Sequence, residues 1–150
     1  MRTDKTIIIT SELLNSLEKT SNIKELVTEQ KFLDVLNLDK AIIYMLVDWS
    51  GPERISRYLV YQVLTDLGPE EGTPVFKIDC SDQTKEYIVD WLVKQRESNK
   101  EFYYGGCGET LFLNQGDIVD YIGNPAKIGR MKTEEKLAEW KKNEFPSSGE

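Results

Sequence analysis

The sequence predicts a single mixed α/β domain, and two observations carry that prediction. An apolar run at residues 41–47 has the length of a strand covered on both faces and is too short to cross a membrane. Helix-like and strand-like segments alternate after it, which indicates a parallel strand–helix–strand unit with a right-handed crossover. A chain of 150 residues can bury an ordinary core without a disulfide or a metal ion.

Gly51 and Pro52 mark the start of the helix that follows the buried strand. Proline is accepted in a first helical turn because its missing N–H would have no intrahelical partner there. Apolar residues then recur at every fourth position, so we expect one apolar stripe to pack on the strand. The stripe consists of Ile55, Leu59, Val63 and Leu67.

The segments before the buried strand are shorter. Residues 11–19 carry leucines at helical spacing, residues 23–28 alternate as a weak strand, and residues 29–38 suit a second short helix. They place two helices and one strand ahead of the central unit.

The segments after the central helix predict a loop, a strand, a helix, a hairpin, a polar connection and a last helix. Ser81 or Asp82 would cap the helix that follows the strand. These elements are assigned to residues 68–72, 73–80, 81–96, 110–122, 124–131 and 133–142. We interpret Trp91 and Trp140 as core residues.

Composition excludes several functional classes. The chain has no histidine, so it lacks the commonest general base and the commonest metal ligand, and we expect neither a metal site nor a bound cofactor. A net charge of −7 without any run of Lys or Arg argues against nucleic acid and membrane partners. Two distant cysteines and no secretion signal predict a reducing, cytoplasmic environment.

The turn at residues 49–53 reads Trp-Ser-Gly-Pro-Glu and directly follows the buried strand. Together with the strand end Lys77-Ile78-Asp79 and the segment from Glu109 into the glycine hairpin, it resembles the thioredoxin family in order and spacing. The resemblance implies a thioredoxin-like fold with a mixed central sheet, a parallel βαβ unit, an antiparallel C-terminal hairpin and helices on both faces.

The resemblance also divides the chain. Residues 1–22 would be an N-terminal extension with a short helix, residues 23–143 the thioredoxin-like domain, and residues 144–150 a flexible tail.

The same resemblance implies that the family's dithiol chemistry is lost. Ser50 and Glu53 occupy both cysteine positions of the redox turn, and neither a hydroxyl nor a carboxylate can exchange with a disulfide. The family's buried aspartate falls on Tyr44 and its cis-proline on Glu109. Because a cis bond before a non-proline residue costs about 2.5–4 kcal/mol, we expect a trans peptide between Gly108 and Glu109.

The residues that replace the dithiol allow two interpretations. Ser50 and Glu53 fit a capping box, in which each side chain binds the backbone N–H of the other residue. Alternatively, the Ser50 hydroxyl at the helix N-terminus binds an anion or a thiol, as in glutathione-handling relatives of the fold.

The two cysteines receive different interpretations. Cys107 lies between glycines in the loop that faces the family's active site, and Arg54 is the local cation that could stabilise its thiolate. An inert thiol is the alternative for Cys107. We interpret Cys80 as a small buried hydrophobic residue.

The function predicted from these residues is a non-catalytic module that binds an unknown protein or peptide through the former active-site edge. A single-thiol or glutathione-dependent redox enzyme that uses Cys107 with Ser50 is the alternative. A stoichiometric acidic inhibitor of a basic protein is a third possibility, which only the charge suggests. The binding residues expected at the edge are Trp49, Ser50, Gly51, Pro52, Glu53, Tyr104, Cys107, Gly108 and Glu109.

Overall fold

The computed structural model describes residues 9–47, 51–67, 74–80, 86–98 and 108–142. Within these ranges the helices and strands follow one another in the predicted alternation. The helices are α1 (Ser11–Thr20), α2 (Glu29–Leu36), α3 (Gly51–Leu67), α4 (Glu86–Ser98) and α5 (Pro125–Lys142). The strands are β1 (Lys24–Glu25), β2 (Lys40–Leu46), β3 (Val75–Asp79), β4 (Thr110–Asn114) and β5 (Asp117–Ile122).

The five strands form one mixed sheet in the order β1-β3-β2-β4-β5. Strand β2 lies at the centre, parallel to β3 and antiparallel to β4, and β3 is also parallel to β1. Strands β4 and β5 form an antiparallel hairpin. The predicted fold class, with its parallel unit and its C-terminal hairpin, is therefore confirmed.

Strand β2 is apolar throughout because it contributes to a core on each side of the sheet. Successive side chains of a strand point to opposite faces. Ile42 and Tyr44 join a first core with side chains of α1, α3 and α5. Ala41 and Ile43 join a second core with side chains of α2 and α4. The helices thus cover both faces, as predicted.

Aromatic contacts fix α5 and α4 against these cores. The Trp140 ring stacks on Phe112 with centroids 5.3 Å apart, and the Lys40 ammonium lies 4.9 Å from the Trp140 ring. Trp140 is 4% exposed, so its interpretation as a core residue is confirmed. Trp91 is only partly buried, with its ring edge-on to Phe32 at 5.2 Å.

Helix α3 packs through most of the predicted stripe, with one exception. Ile55 is 53% exposed, so its place on the buried stripe was wrong, although Val63 is buried and Leu59 and Leu67 are partly buried. A strict four-residue repeat drifts by about 40° per step around a helix of 3.6 residues per turn. The buried residues of α3 follow mixed steps instead and include Glu53, Ser56, Val60, Tyr61, Val63 and Leu64.

Two element boundaries also differ from the prediction. The first strand is reduced to two residues because Thr28 caps α2, its hydroxyl accepting from the Lys31 N–H at 3.2 Å. The predicted polar connection at residues 124–131 is wrong, since α5 already begins at Pro125 after Asn124. Gly129 then interrupts the helix with φ of 88°.

The hairpin turn is confirmed at Asn114-Gln115-Gly116. Gln115 and Gly116 both have positive φ, 52° and 85°. A Cβ at Gly116 would lie 2.8 Å from the Leu36 carbonyl oxygen, so this turn requires glycine for space as well as for conformation.

Some predicted features lie outside the described residues: the loop at 68–72, the caps Ser81 and Asp82, and the C-terminal tail. In the part of the chain that is described, no helix is both long enough and apolar enough to span a bilayer.

Replacing Leu64 by alanine, compared with the same change at Ile55, tests which α3 side chains are in the core. Leu64 is 1% exposed, so L64A should lower the free energy of unfolding by about 2–5 kcal/mol, the usual cost of emptying a core leucine site. The matched variant I55A, at an exposed position, should change it by less than about 0.5 kcal/mol. Urea denaturation measures both, and equal losses would contradict the observed packing.

Candidate functional site

The predicted binding edge is only partly within the described residues. Gly51, Glu53, Gly108 and Glu109 are described, as is the backbone of Pro52. Gly51 is exposed at the start of α3, whereas the other three described residues are buried. Trp49, Ser50, Tyr104 and Cys107 lie outside the described residues.

Glu53 lies in the first turn of α3 and is 0% exposed. Its carboxylate accepts a hydrogen bond from the Tyr44 hydroxyl at 2.6 Å. The Arg57 guanidinium donates to both carboxylate oxygens, at 2.8 and 3.0 Å. A buried carboxylate is tolerated only when it is paired and hydrogen-bonded in this way.

Arg57 stands one helical turn after Glu53, which is the spacing at which oppositely charged side chains of a helix meet. Burial by itself would lower the pKa of Arg57, but the hydrogen bonds and the charge of Glu53 outweigh it, and the pKa is raised. The arginine is therefore a permanent counter-charge to the carboxylate.

Tyr44 lies on β2 and is 0% exposed. Its hydroxyl also donates towards the Glu53 backbone carbonyl, at 3.0 Å, so one phenol contacts both the side chain and the main chain of Glu53. Burial raises the pKa of Tyr44 well above its usual value, and the Glu53 carboxylate raises it further. The phenol is neutral at physiological pH and acts as a donor.

A second ion pair lies beside the first. Lys77 is opposite Tyr44 in the β2–β3 register, and its ammonium donates to the Glu18 carboxylate of α1 at 2.7 and 2.8 Å. The ring of Tyr61 is edge-on to that of Tyr44 at 5.6 Å. Burial raises the pKa of Tyr61, with a further contribution from the Glu18 carboxylate.

We refer to these six buried or partly buried side chains as the polar cluster: Glu18, Tyr44, Glu53, Arg57, Tyr61 and Lys77. It contains two carboxylates and two cations, so its formal charges cancel. Because each carboxylate is bound by a cation of the same cluster, the cluster fixes the start of α3 and ties α1 to the sheet.

The segment Gly108–Glu109 closes the cluster from the side of β4. Gly108 has φ of +87°, and a Cβ there would lie 2.5 Å from the Tyr44 hydroxyl oxygen and 2.6 Å from Ser56 Cβ. The Glu109 carbonyl accepts from the Met45 N–H at 2.9 Å, and its residue is 1% exposed. The peptide between Gly108 and Glu109 is trans, which confirms that expectation.

Ser56 connects this segment to α5. The Ser56 hydroxyl accepts from the Ala126 N–H at 3.0 Å, and its Cβ borders the space that a side chain at Gly108 would need. The start of α5, the first turns of α3 and the Gly108–Glu109 segment therefore meet at one end of the sheet.

Three expectations for neighbouring residues have different outcomes. The capping box with Ser50 stays a prediction because Ser50 lies outside the described residues. Arg54, expected near Cys107, donates its Nε–H to the Ile9 carbonyl at 3.0 Å, and Cys107 is not described. Cys80 is partly buried against the second core rather than enclosed in it.

Sequence reasoning did not foresee the roles of Arg57, Tyr61 and Glu18. The four-residue spacing of Glu53 and Arg57 could have indicated their ion pair. The pairing of Glu18 with Lys77 joins residues 59 positions apart, and no sequence pattern indicates it. Among the described residues, no group of three or more potential ligands of the Cys, Asp or Glu type could hold a metal ion.

Replacing Arg57 by alanine should strongly destabilise the protein, because the Glu53 carboxylate would stay buried without its counter-charge. We expect a loss of about 3–5 kcal/mol in the free energy of unfolding. The control is R130A, which removes the exposed ion pair of Arg130 with Asp66 and should cost less than about 1 kcal/mol. Chemical denaturation compares the two, and similar losses would contradict the importance of the buried pair.

Substituting Gly108 by alanine should distort the contact of this segment with Tyr44. The positive φ and the close approach of two side chains both oppose a Cβ, so G108A should lower the unfolding midpoint. Gly51 offers a matched control, since a Cβ there meets nothing within 4 Å and G51A should be neutral or slightly stabilising. A thermal shift assay tests the pair; an unchanged midpoint for G108A would be inconsistent with the packing.

No protein-family model and no curated protein matches this sequence. Solved structures do resemble it. A mutant of poplar thioredoxin h is 14% identical over 86% of this chain and 89% of its own length, with a TM-score of 0.58. Thioredoxin of Malassezia sympodialis is 12% identical over 78% of this chain and 89% of its own length, with a TM-score of 0.54. A mutant thioredoxin of Halobacterium salinarum is 15% identical over 85% of this chain and 96% of its own length, with a TM-score of 0.52. The chain therefore has the thioredoxin fold.

Proposed function

We propose that this chain is a non-redox thioredoxin-like domain that binds a protein or peptide through the former active-site edge. One observation carries the proposal. The Glu53 carboxylate, at the position of the family's second cysteine, is buried and bound by Tyr44 and Arg57. A carboxylate cannot act as the thiol that resolves a mixed disulfide, and the contacts of Glu53 give it a structural role instead.

The proton chemistry of a dithiol site is also missing. The family's buried aspartate accepts and returns a proton beneath the cysteines, whereas Tyr44 at this position is a neutral phenol whose raised pKa keeps its proton in place. A phenol that already donates to Glu53 is not a base at physiological pH.

Other features of the edge support a binding role. The parallel strands β2 and β3 end there, and the Gly108–Glu109 segment is held against them by the Met45–Glu109 hydrogen bond. Because Glu53 and Glu109 are buried, they would support the binding surface without touching the partner. The other residues of the predicted binding set would make the contacts.

Within that set, the proposal gives Trp49 and Tyr104 the role of aromatic anchors. Exposed Trp and Tyr residues carry much of the binding energy of protein interfaces. Ser50, Gly51, Pro52 and Cys107 would form the adjoining contacts, with Gly108 allowing close approach of the backbone.

The W49A variant should lose binding partners that the wild-type protein retains. Immobilised wild type, W49A and the control V93A, at an exposed position of α4, are compared for proteins captured from a lysate of the expressing cells. We expect loss of a hot-spot tryptophan to cost more than about 2 kcal/mol, roughly thirtyfold in affinity. Quantitative mass spectrometry of the captured proteins measures the difference, and V93A should resemble wild type.

The outcome that would contradict the proposal is catalysis. Turnover of insulin disulfides or of glutathione disulfide by the wild-type protein, lost in a Cys107→Ser variant, would assign the site to the single-thiol enzyme instead. A capture profile that is the same for W49A and wild type would remove the edge from the binding role.

A further inference from the structure

An apolar groove, separate from the candidate site, lies at the lateral edge of the sheet between the outermost strand β1 and helix α2. Its volume is about 280 Å³. The floor is formed by Leu26, Val35, Leu38 and Phe76, and charged residues surround it: Lys24, Glu25, Lys31 and Asp34. Leu38 is 37% exposed, so the groove opens to solvent.

The backbone of β1 is open on the side away from β3. In the sheet order β1 is the outermost strand, with β3 as its neighbour. The Leu26 N–H donates to the Lys77 carbonyl at 2.9 Å, so the peptide groups of Leu26 face β3. Because orientation alternates along a strand, the N–H and C=O of Glu25 face outwards. An edge of this kind is a template for one further strand.

The charges around the groove do not all face it. Glu25 alternates with Lys24 and Leu26 along the backbone, and its carboxylate lies 4.0 Å from the Lys77 ammonium, on the other face of the sheet. The Asp34 carboxylate accepts from the neutral Gln30 amide at 2.8 Å and keeps its charge, so two ammonium groups face one carboxylate. Lys24 and Lys31 form no ion pair with any carboxylate in the described part of the chain. Two available ammonium groups beside an apolar floor favour an occupant with an apolar side chain flanked by acidic ones.

We propose that this groove and the open edge of β1 bind an extended acidic peptide segment of a partner protein, which adds a strand to the sheet. The outward N–H and C=O of Glu25 form hydrogen bonds with the peptide backbone. One apolar side chain of the peptide enters the groove, and its acidic neighbours on the same face approach Lys24 and Lys31. The surface lies on the lateral edge of the sheet and is independent of the former active-site edge.

A designed pentapeptide, acetyl-Asp-Val-Leu-Val-Asp-amide carrying a fluorophore, tests the proposal by fluorescence anisotropy and by amide chemical shifts of the labelled full chain. Its leucine and both aspartates share one face of an extended strand. The matched peptide has lysine at both aspartate positions. We expect the acidic peptide to bind with the larger shifts at residues 24–38, and the basic one to bind at least about fivefold more weakly.

Two variants separate the backbone contact from charge. E25P removes the outward N–H together with the carboxylate, and it breaks no hydrogen bond to β3 because the Glu25 N–H does not pair with that strand. It should weaken binding about tenfold, as expected for one hydrogen bond of about 1.4 kcal/mol. E25Q keeps the N–H and should bind like wild type. The double variant K24E/K31E leaves the backbone intact and should also weaken binding, whereas K127E, an exposed lysine of α5, should not.

The circular dichroism spectrum and the thermal midpoint establish that each variant is folded; if E25P unfolds, K24E/K31E decides. Several outcomes would overturn the proposal: no binding of the acidic peptide up to about millimolar concentration, equal binding of both peptides, or K24E/K31E binding like wild type. Concentration-dependent dimers that E25P abolishes would assign the edge to a second copy of the chain and would likewise overturn it.

Discussion

The pairing of Glu53 with Tyr44 and Arg57 is the constraint on which the rest of the site depends. A carboxylate that is 0% exposed in the first turn of a helix requires partners, and these come from the next helical turn and from the central strand. The pair locks the start of α3 onto β2. The Glu53 side chain is thus part of the internal structure of the domain.

This constraint extends to neighbouring elements through contacts rather than through charge alone. The Tyr44 hydroxyl occupies the space beside Gly108, which has no room for a side chain. Ser56, on the same face of α3 as Glu53, contacts the first turn of α5. The polar contacts of Glu53, Tyr44 and Ser56 therefore join α3 to β2, to the Gly108–Glu109 segment and to the start of α5.

Much of the fold could be predicted from sequence, because apolar run length and the order of elements are local and redundant signals. The continuous run at residues 41–47 predicted a strand buried on both faces, and the structure places it at the centre of the sheet. Ile55 was misplaced because a repeat of four residues does not match the helical period. Asn124 followed by Pro125 marked a helix start, but the segment between it and the interruption at Gly129 is too short to show a helical period.

The candidate site was predictable only in part. Tyr44 was expected in a buried position from its register, and the trans peptide at Glu109 followed from the cost of the cis form. What sequence could not supply was the partner of each buried charge. Glu18 and Lys77 belong to elements that meet only after folding, and helix α1 contributes one half of that pair.

Helix α1 has a consequence for how this chain may be trimmed. Its Leu14 enters the first core, and its Glu18 carboxylate is the nearest counter-ion of the Lys77 ammonium, with Glu25 at 4.0 Å as the longer contact. Removing this helix would therefore take the nearest counter-ion from Lys77 and leave the place of Leu14 in the first core empty.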